Sequence, residues 1–281
     1  MPRPSPQTER VVAVARLLAA HPDEGFTISE IARRLRLNKA TCYPMVGALA
    51  DAGWLVRDPG TKAFRLGPEL ITIGEAAGRS LPAVQLARPA MVELATELGV
   101  TCAAFTCDGG VATLTDQVWD VRSTVQPLRV GLWAPVRAPF GAVFIAWAND
   151  AEIDEWLEGI DERLVPRYRA ALEATRARGY VVELRTPSRE AGPAVHGTGS
   201  LAELMPADVA TERDFLLADL DSKASYPVST IEAPVFDGDG NIALGLVLVG
   251  VPRSMPTPDI ELFAKQLLNA TSALTASLTG S

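Results

Sequence analysis

The sequence predicts an α+β protein in two parts: an N-terminal winged helix-turn-helix domain over residues 1–67 and a larger domain over residues 82–281, joined by a linker helix over residues 68–81. Three observations predict it. The 281 residues exceed one typical domain and suffice for two separate cores. The first part has the pattern of three helices and a hairpin, and the second part alternates hairpins with helices. The net charge also changes sign between the two parts.

The charge is unevenly distributed along the chain. Residues 1–82 contain 11 Lys and Arg against 8 Asp and Glu, a net charge of +3, whereas residues 83–281 contain 15 against 26, a net charge of −11. A small basic part attached to an acidic body is typical of a nucleic-acid reader joined to a second domain. The overall charge of −8 therefore does not exclude nucleic acid as a partner.

The sequence offers no membrane span, signal peptide or metal site. The longest apolar runs, residues 141–148 and 242–251, are about half the length that a membrane span needs. The opening residues MPRPSPQTER lack the apolar core of a signal peptide. The 3 cysteines and 2 histidines fit no disulfide framework and no zinc spacing. We therefore expect a cytoplasmic protein with no membrane contact, metal or cofactor.

The first two helices follow from an apolar stripe and a capping signal. The stripe of helix one has the i, i+3, i+4, i+7 spacing of an amphipathic helix and consists of Val11, Val14, Ala15 and Leu18. Helix one should end near His21. Thr27 and Glu30 have the spacing of a capping box, which predicts that helix two begins there.

Helix three has the character of a recognition helix. Asn38 is a good N-cap for it, and Gly53 ends it. Its inward stripe is Cys42, Met45, Val46, Leu49 and Ala50. Ala40 and Gly47 on the opposite face are small, which allows the backbone to approach a groove closely. The residues of helices two and three predicted to contact DNA are Thr27, Lys39, Ala40, Thr41, Tyr43 and Pro44.

A hairpin wing is predicted after helix three. Residues 54–57 and 62–66 flank a turn that has Pro59 and Gly60 in favoured positions. The wing residues placed to reach phosphates are Arg57, Lys62 and Arg65. The alternative is a small domain for protein contacts, but the basic bias favours DNA. Pro68 is accepted at the first position of a helix and begins the linker helix.

The remaining residues predict antiparallel hairpins with helices packed around them. The expected elements are a helix ending at Gly99, strands 100–107 and 111–119, a strand near 125–132, a helix over 141–148, helices near 150–158 and 166–178, strand 180–184, a helix over about 207–221, strands 229–236 and 241–251, and a final helix from Thr257. This order indicates an α+β sensor domain.

Two stretches resemble the IclR family of bacterial regulators. TISEIARRLRLNKATCYPMVGALADAGWLVRDPGTKAFRLGPEL is similar to the family's DNA-binding domain, and APVFDGDGNIALGLVLVG is similar to its effector-domain signature. The resemblance implies a GAF-like effector-binding domain, a homodimer or dimer of dimers, and a palindromic operator of double-stranded DNA. Ala40 stands where many members have Ser, and Pro44 stands where many have Arg, so one hydroxyl and one phosphate contact are absent.

The resemblance also implies where a small-molecule effector binds. The matching positions are Arg137, Phe140, Gly141, Tyr226, Ser229 and Thr230. Arg137 stands where the family commonly has His, and Pro139, Ala142 and Val143 also depart from the common pattern, which implies a different ligand. An Arg137 guanidinium can bind a carboxylate through two hydrogen bonds, which suggests a small organic acid. The alternatives are an ordinary Arg137 salt bridge, and core positions for Phe140 and Tyr226.

The segment between Tyr180 and Ala233 is longer than the family's. It can cover the pocket, contact a partner subunit or form a surface insertion. No GxSxG, Walker or GxGxxG motif occurs in the sequence, and His196 lies in the loop GPAVHGTGS without evident partners. We therefore predict a regulator and not an enzyme. The alternatives are an enzyme and a protein-interaction adaptor with a sensor-type domain.

Overall fold

The computed structural model describes residues 5–21, 24–79, 81–185 and 215–280. These residues belong to two compact units, one up to residue 79 and one from residue 81. Among the described helices, none combines the length and the apolar character that crossing a membrane requires.

The first unit contains the predicted helices and hairpin in the predicted order. Its elements are α1 (Pro6–Ala20), α2 (Ile28–Arg34), α3 (Lys39–Asp51), β1 (Leu55–Arg57), β2 (Phe64–Leu66) and α4 (Glu69–Arg79). Its core joins the inward stripes of the first three helices to the wing and includes Val14, Leu18, Phe26, Ile31, Ala32, Cys42, Met45, Val46, Leu55 and Phe64. The apolar periodicity therefore identified the buried faces of these helices correctly.

The predicted helix caps are present. The Thr27 hydroxyl accepts from the Glu30 amide at 3.4 Å, and the Glu30 carboxylate accepts from the Thr27 amide at 2.7 Å. The Asn38 side chain accepts from the Ala40 amide at 2.9 Å and begins α3. Gly53 follows the end of α3 with a φ of +74°.

The wing strands are shorter than predicted because the turn between them extends to Lys62. The Asp58 carboxylate accepts from the amides of Gly60 at 2.9 Å and Thr61 at 2.7 Å. The Lys62 amide donates to the Asp58 carbonyl at 2.9 Å, and Lys62 has a φ of +58°. The second strand therefore begins at Phe64 and not at Lys62.

The second unit is built on one antiparallel sheet. Its elements are α5 (Pro82–Leu98), β3 (Thr101–Asp108), β4 (Val111–Val118), β5 (Trp133–Pro135), α6 (Ala142–Ile145), α7 (Asp150–Trp156), α8 (Val165–Arg178), β6 (Val181–Leu184), β7 (Ser225–Tyr226), β8 (Val228–Phe236), β9 (Ile242–Val249), β10 (Met255–Pro256) and α9 (Thr257–Thr279). The strand order is β5-β4-β3-β9-β8-β6, and β7 pairs with β10 separately. The predicted α+β class is confirmed.

Helices cover both faces of the sheet. Val182 belongs to the core that includes α5 and α9, whereas its neighbour Val181 belongs to the core that includes α6, α7 and α8. Successive residues of a strand face opposite sides of a sheet, so these two cores lie on opposite faces.

Three predicted elements differ from the structure. Residues 125–132 form a loop and not a strand, and the fifth strand is Trp133–Pro135 instead. The Gln117 side chain accepts from the Leu128 amide at 3.0 Å, and Gly131, with a φ of +91°, bends the chain. Residues 125–132 are therefore joined to β4 by isolated hydrogen bonds and not by the regular backbone pairing of a strand. The predicted helix over 141–148 is restricted to the short α6.

The predicted helix over 207–221 is contradicted where it is described. The Phe215 carbonyl accepts from the Leu184 amide at 2.8 Å, and the Leu217 amide donates to the Val182 carbonyl at 3.0 Å. Residues 215–217 therefore run along the outer edge of β6, whose free backbone groups compete successfully with a helix. The first part of that predicted helix, residues 207–214, and the candidate His196 lie outside the described residues.

Candidate nucleic-acid interface and ligand cavity

The outward face of α3 presents the predicted DNA-contacting residues. Ala40, Tyr43 and Pro44 are exposed, Tyr43 with 69% of its surface accessible. Thr41 is half-buried at the edge of this face. A Cβ atom placed on Gly47 would meet nothing within 4 Å. This face is therefore exposed and has the small residues Ala40 and Gly47, so another surface can approach its backbone closely.

The wing places basic groups on both of its faces. Arg57 pairs with Phe64, and Arg65 pairs with Val56, in an antiparallel register. Because neighbouring residues of a strand point to opposite faces, the Arg57 and Arg65 side chains lie on opposite sides of the hairpin. The Arg57 guanidinium lies 5.8 Å from the centre of the Phe64 ring. The exposed Lys62 completes the basic end of the wing.

Thr27 is engaged within its own helix. Besides the capping bonds, its hydroxyl donates to the Glu30 carboxylate at 2.8 Å. These bonds lower the pKa of Glu30, because they stabilise its charged form. Sequence reasoning missed the exposed Arg33, Arg34 and Arg36 at the end of α2, although the letters ARRLR carried that signal.

The second unit contains a cavity of about 300 Å³ beside the ends of β8 and β9. The residues that line it are Val125, Leu128, Arg185, Ser229, Thr230, Val249, Gly250 and Arg253. Ser229 and Thr230 were predicted as effector-binding residues. They lie where the pairing of β6 with β8 shifts register, between Glu183 and Leu184. Such a bulge redirects side chains at the end of a sheet.

Two polar side chains of this cavity, Arg185 and Thr230, are held in place by hydrogen bonds. The Arg185 guanidinium donates to the Val228 carbonyl at 2.9 Å and to the Val251 carbonyl at 3.0 Å. The Thr230 hydroxyl donates to the buried Glu232 carboxylate at 2.8 Å. Arg253 is exposed and forms no ion pair with any described residue. Two guanidinium groups beside the Ser229 hydroxyl suit an anionic, oxygen-rich ligand.

Gly250 allows the loop after β4 to pack against the end of β9 beside this cavity. Gly250 has a φ of +77°, and a Cβ atom there would lie 2.0 Å from the Ser123 hydroxyl oxygen. The Thr124 amide donates to the Gly250 carbonyl at 3.1 Å. The loop after β4 can therefore pack against the end of β9 only because residue 250 has no side chain.

The structure places Arg137 away from Ser229 and Thr230. Its side chain is 58% exposed and lies 3.1 Å from the Glu158 carboxylate, so it forms the ordinary salt bridge considered above. It lines a separate, wider cavity of about 890 Å³ that also includes Trp147 and Glu155.

Phe140, Gly141 and Tyr226 hold local structure together. The Phe140 carbonyl accepts from the Trp156 indole at 2.7 Å. Gly141 precedes α6 with a φ of +78°. The Tyr226 hydroxyl accepts from the Asp221 amide at 2.9 Å, which closes the turn before β7. Of the six predicted effector residues, the structure brings together Ser229 and Thr230, and it adds Arg185 and Arg253, which sequence reasoning missed.

An open recognition helix beside a basic wing, followed by a separate α+β unit with a cavity of small-molecule size, defines the class of two-domain, winged-helix DNA-binding proteins. A family model described as the IclR helix-turn-helix domain matches residues 7–59. Residues 7–59 therefore contain a helix-turn-helix domain of the IclR type.

Individual relatives are similar at modest identity. The regulator XynR of Escherichia coli K12 is 27% identical over 165 residues, which cover 56% of this chain and 66% of that protein. The IclR regulator of Alicyclobacillus acidocaldarius has a TM-score of 0.70 at 21% identity, covering 98% of this chain and 99% of the other. An IclR homologue of Microbacterium hydrocarbonoxydans, solved with 4-hydroxybenzoate, has a TM-score of 0.66 at 18% identity, covering 98% and 100%.

Proposed function

We propose that this chain regulates transcription by binding double-stranded DNA, with α3 in the major groove and the wing on the flanking phosphates. The observation that carries the proposal is the low, exposed face of α3 beside a wing with basic groups on both faces. The proposal takes residues 1–67 as the reader, residues 68–81 as the linker helix and residues 82–281 as a GAF-like ligand-binding domain.

The first test is binding of the full chain to DNA from its own upstream region. Specific binding should weaken steeply with salt, because each neutralised phosphate adds about 0.9 to the slope of log affinity against log salt concentration. Arg57→Ala and Arg65→Ala together should reduce that slope by about 2. Arg163→Ala, in the second unit, is the matched control. Equal, weak binding to operator and unrelated DNA would sink the proposal.

The proposal includes control by a small organic acid. The cavity beside β8 and β9 supports it, because Arg185 and Arg253 line it together with Ser229 and Thr230. The Microbacterium homologue, which shares the fold, was solved with an aromatic acid. Arg137, the residue first predicted to bind the acid, is the weaker candidate, because its exposed guanidinium already pairs with the Glu158 carboxylate.

4-Hydroxybenzoate is the first probe, titrated into the protein by calorimetry. Arg253→Ala should weaken binding about tenfold or more, because a charge-assisted hydrogen bond contributes about 1.5–3 kcal/mol. Arg137→Ala is the matched control and should leave the dissociation constant unchanged. If Arg137→Ala alone loses affinity, the acid binds at the loop before α6, as first predicted. If 4-hydroxybenzoate does not bind, other carboxylic acids are screened by the change that they cause in operator binding.

We propose further that the chain acts as a homodimer, or dimer of dimers, on a palindromic operator. The family resemblance supports this arrangement, and two-fold symmetric proteins bind half-sites with matching symmetry. An operator with one half-site scrambled should therefore bind far more weakly than the intact palindrome.

A further inference from the structure

The exposed face of α3 contains a helix-interior proline. Pro44 is the sixth residue of a 13-residue helix. Proline has no amide hydrogen, whereas in a regular α-helix the amide of each residue donates to the carbonyl four positions earlier. The carbonyl of Ala40 therefore lacks its normal main-chain donor. By contrast, the Asn38 carbonyl accepts from the Cys42 amide at 3.0 Å.

Ala40 lies on the open side of the helix. Ala40, Tyr43 and Pro44 are all exposed, and a helical carbonyl points along the axis toward the residue four positions later. The side chain of Ala40 is only a methyl group, and Gly47 in a later turn of the helix has no side chain. No described side chain donates to this oxygen. The helix thus presents a backbone acceptor on the surface proposed to enter the groove.

We propose that the Ala40 carbonyl reads one base of the operator by accepting a hydrogen bond from an exocyclic amine. In the major groove such amines belong to cytosine, at N4, and adenine, at N6. An acceptor that is removed from water and left unpaired is costly, so a base without an amine at that position is rejected. The inference rests on the proposed DNA-binding function and gives Pro44 a role in specificity through the carbonyl that it releases.

The test compares the natural chain with Pro44→Ala, which supplies an amide hydrogen for the Ala40 carbonyl. Half-site bases are replaced one at a time by analogues that lack the amine: purine for adenine and 2-pyrimidinone for cytosine. At one position the natural chain should lose about 3- to 10-fold in affinity, the effect of one neutral hydrogen bond. Pro44→Ala should show no penalty at that position. Val12→Ala, at an exposed position of α1 outside this face, is the control and should keep the penalty.

Each outcome is decisive. A natural chain that binds its operator specifically yet loses nothing with any amine-free analogue overturns the inference and leaves the DNA-binding function intact. The same penalty in Pro44→Ala also overturns it, because the restored amide then makes no difference. A natural chain that does not distinguish its operator from unrelated DNA overturns the proposed function itself. Pro44→Ala should remain folded, because alanine favours the helix interior.

Discussion

At the scale of single residues, hydrogen-bonding side chains determine where the elements of the reader begin. Thr27 and Glu30 satisfy each other's amides at the start of α2, and the Asn38 side chain accepts from the Ala40 amide at the start of α3. Asp58 organises the wing turn through one carboxylate oxygen. These groups are close in sequence, and for this reason their roles could be predicted from spacing alone. Thr27 was also predicted to contact DNA, and that role stays a prediction beside its three hydrogen bonds with Glu30.

Replacement of Thr27 separates its capping role from DNA contact. Thr27→Ala should destabilise α2 by about 1 kcal/mol, the usual effect of losing an N-cap side chain. Hydrogen exchange of the α2 amides should then accelerate about fivefold. Thr27→Ser keeps the hydroxyl and should exchange as the natural chain does. Unchanged exchange in Thr27→Ala, with weakened operator binding, would instead assign Thr27 to the DNA contact.

The wing turn should respond to acid only at low pH. Hydrogen bonds from the Thr61 amide and hydroxyl, and from the Gly60 amide, lower the pKa of Asp58 below its ordinary value of 3.8. A lowered folded-state pKa stabilises the turn above the unfolded pKa, and this contribution is lost as pH falls through the folded value. The amide resonances of Gly60 and Thr61 should therefore titrate below 3.8 in a chemical-shift titration. A midpoint at or above that value would contradict the turn geometry.

At the scale of elements, the ligand cavity depends on a loop packing against the end of β9. Gly250 permits that contact, since any side chain there would overlap Ser123. The loop was predicted as a strand, and residues 125–132 do contain four apolar side chains, those of Val125, Leu128, Val130 and Leu132. In the structure, the Leu128 amide donates to the Gln117 side chain on β4 and not to the backbone of a neighbouring strand. Local propensity could not reveal that competition.

A matched pair of glycine variants measures this contact. Gly250 and Gly240 both have positive φ, at +77° and +81°, but a Cβ atom on Gly240 would meet nothing within 4 Å. Gly240→Ala should therefore cost about 1–2 kcal/mol from backbone conformation alone. Gly250→Ala should cost more, because the overlap with Ser123 adds to it. Urea denaturation of the full chain gives both values, and equal costs would show that the loop moves aside freely.

At the scale of the whole molecule, the opposite net charges of the two parts suit different partners. The basic part is predicted to attract DNA. In the acidic part, Arg185 and Arg253 line the cavity, where they are placed to pair with an anion. If an acid in the cavity changes operator affinity, the two binding events share one coupling free energy.

That coupling must be reciprocal. Any factor by which the acid changes operator affinity should equal the factor by which operator DNA changes affinity for the acid. Gel shift with increasing acid gives the first factor, and calorimetry of the acid with free and DNA-bound protein gives the second. Unequal factors at equilibrium would show that the acid also binds elsewhere, and Arg253→Ala should reduce both factors together.

The α+β class, the winged helix-turn-helix and its buried stripes could be predicted from local patterns, because periodicity, caps and turns depend on residues a few positions apart. The cavity could not be predicted in this way. Arg185 follows β6, Arg253 follows β9, and Ser229 lies on β8, so these groups meet only when the three strands join one sheet. Arg137 likewise meets Glu158, which is 21 residues away, only in the folded chain. Contacts between distant segments depend on sheet order and register, which no local pattern encodes.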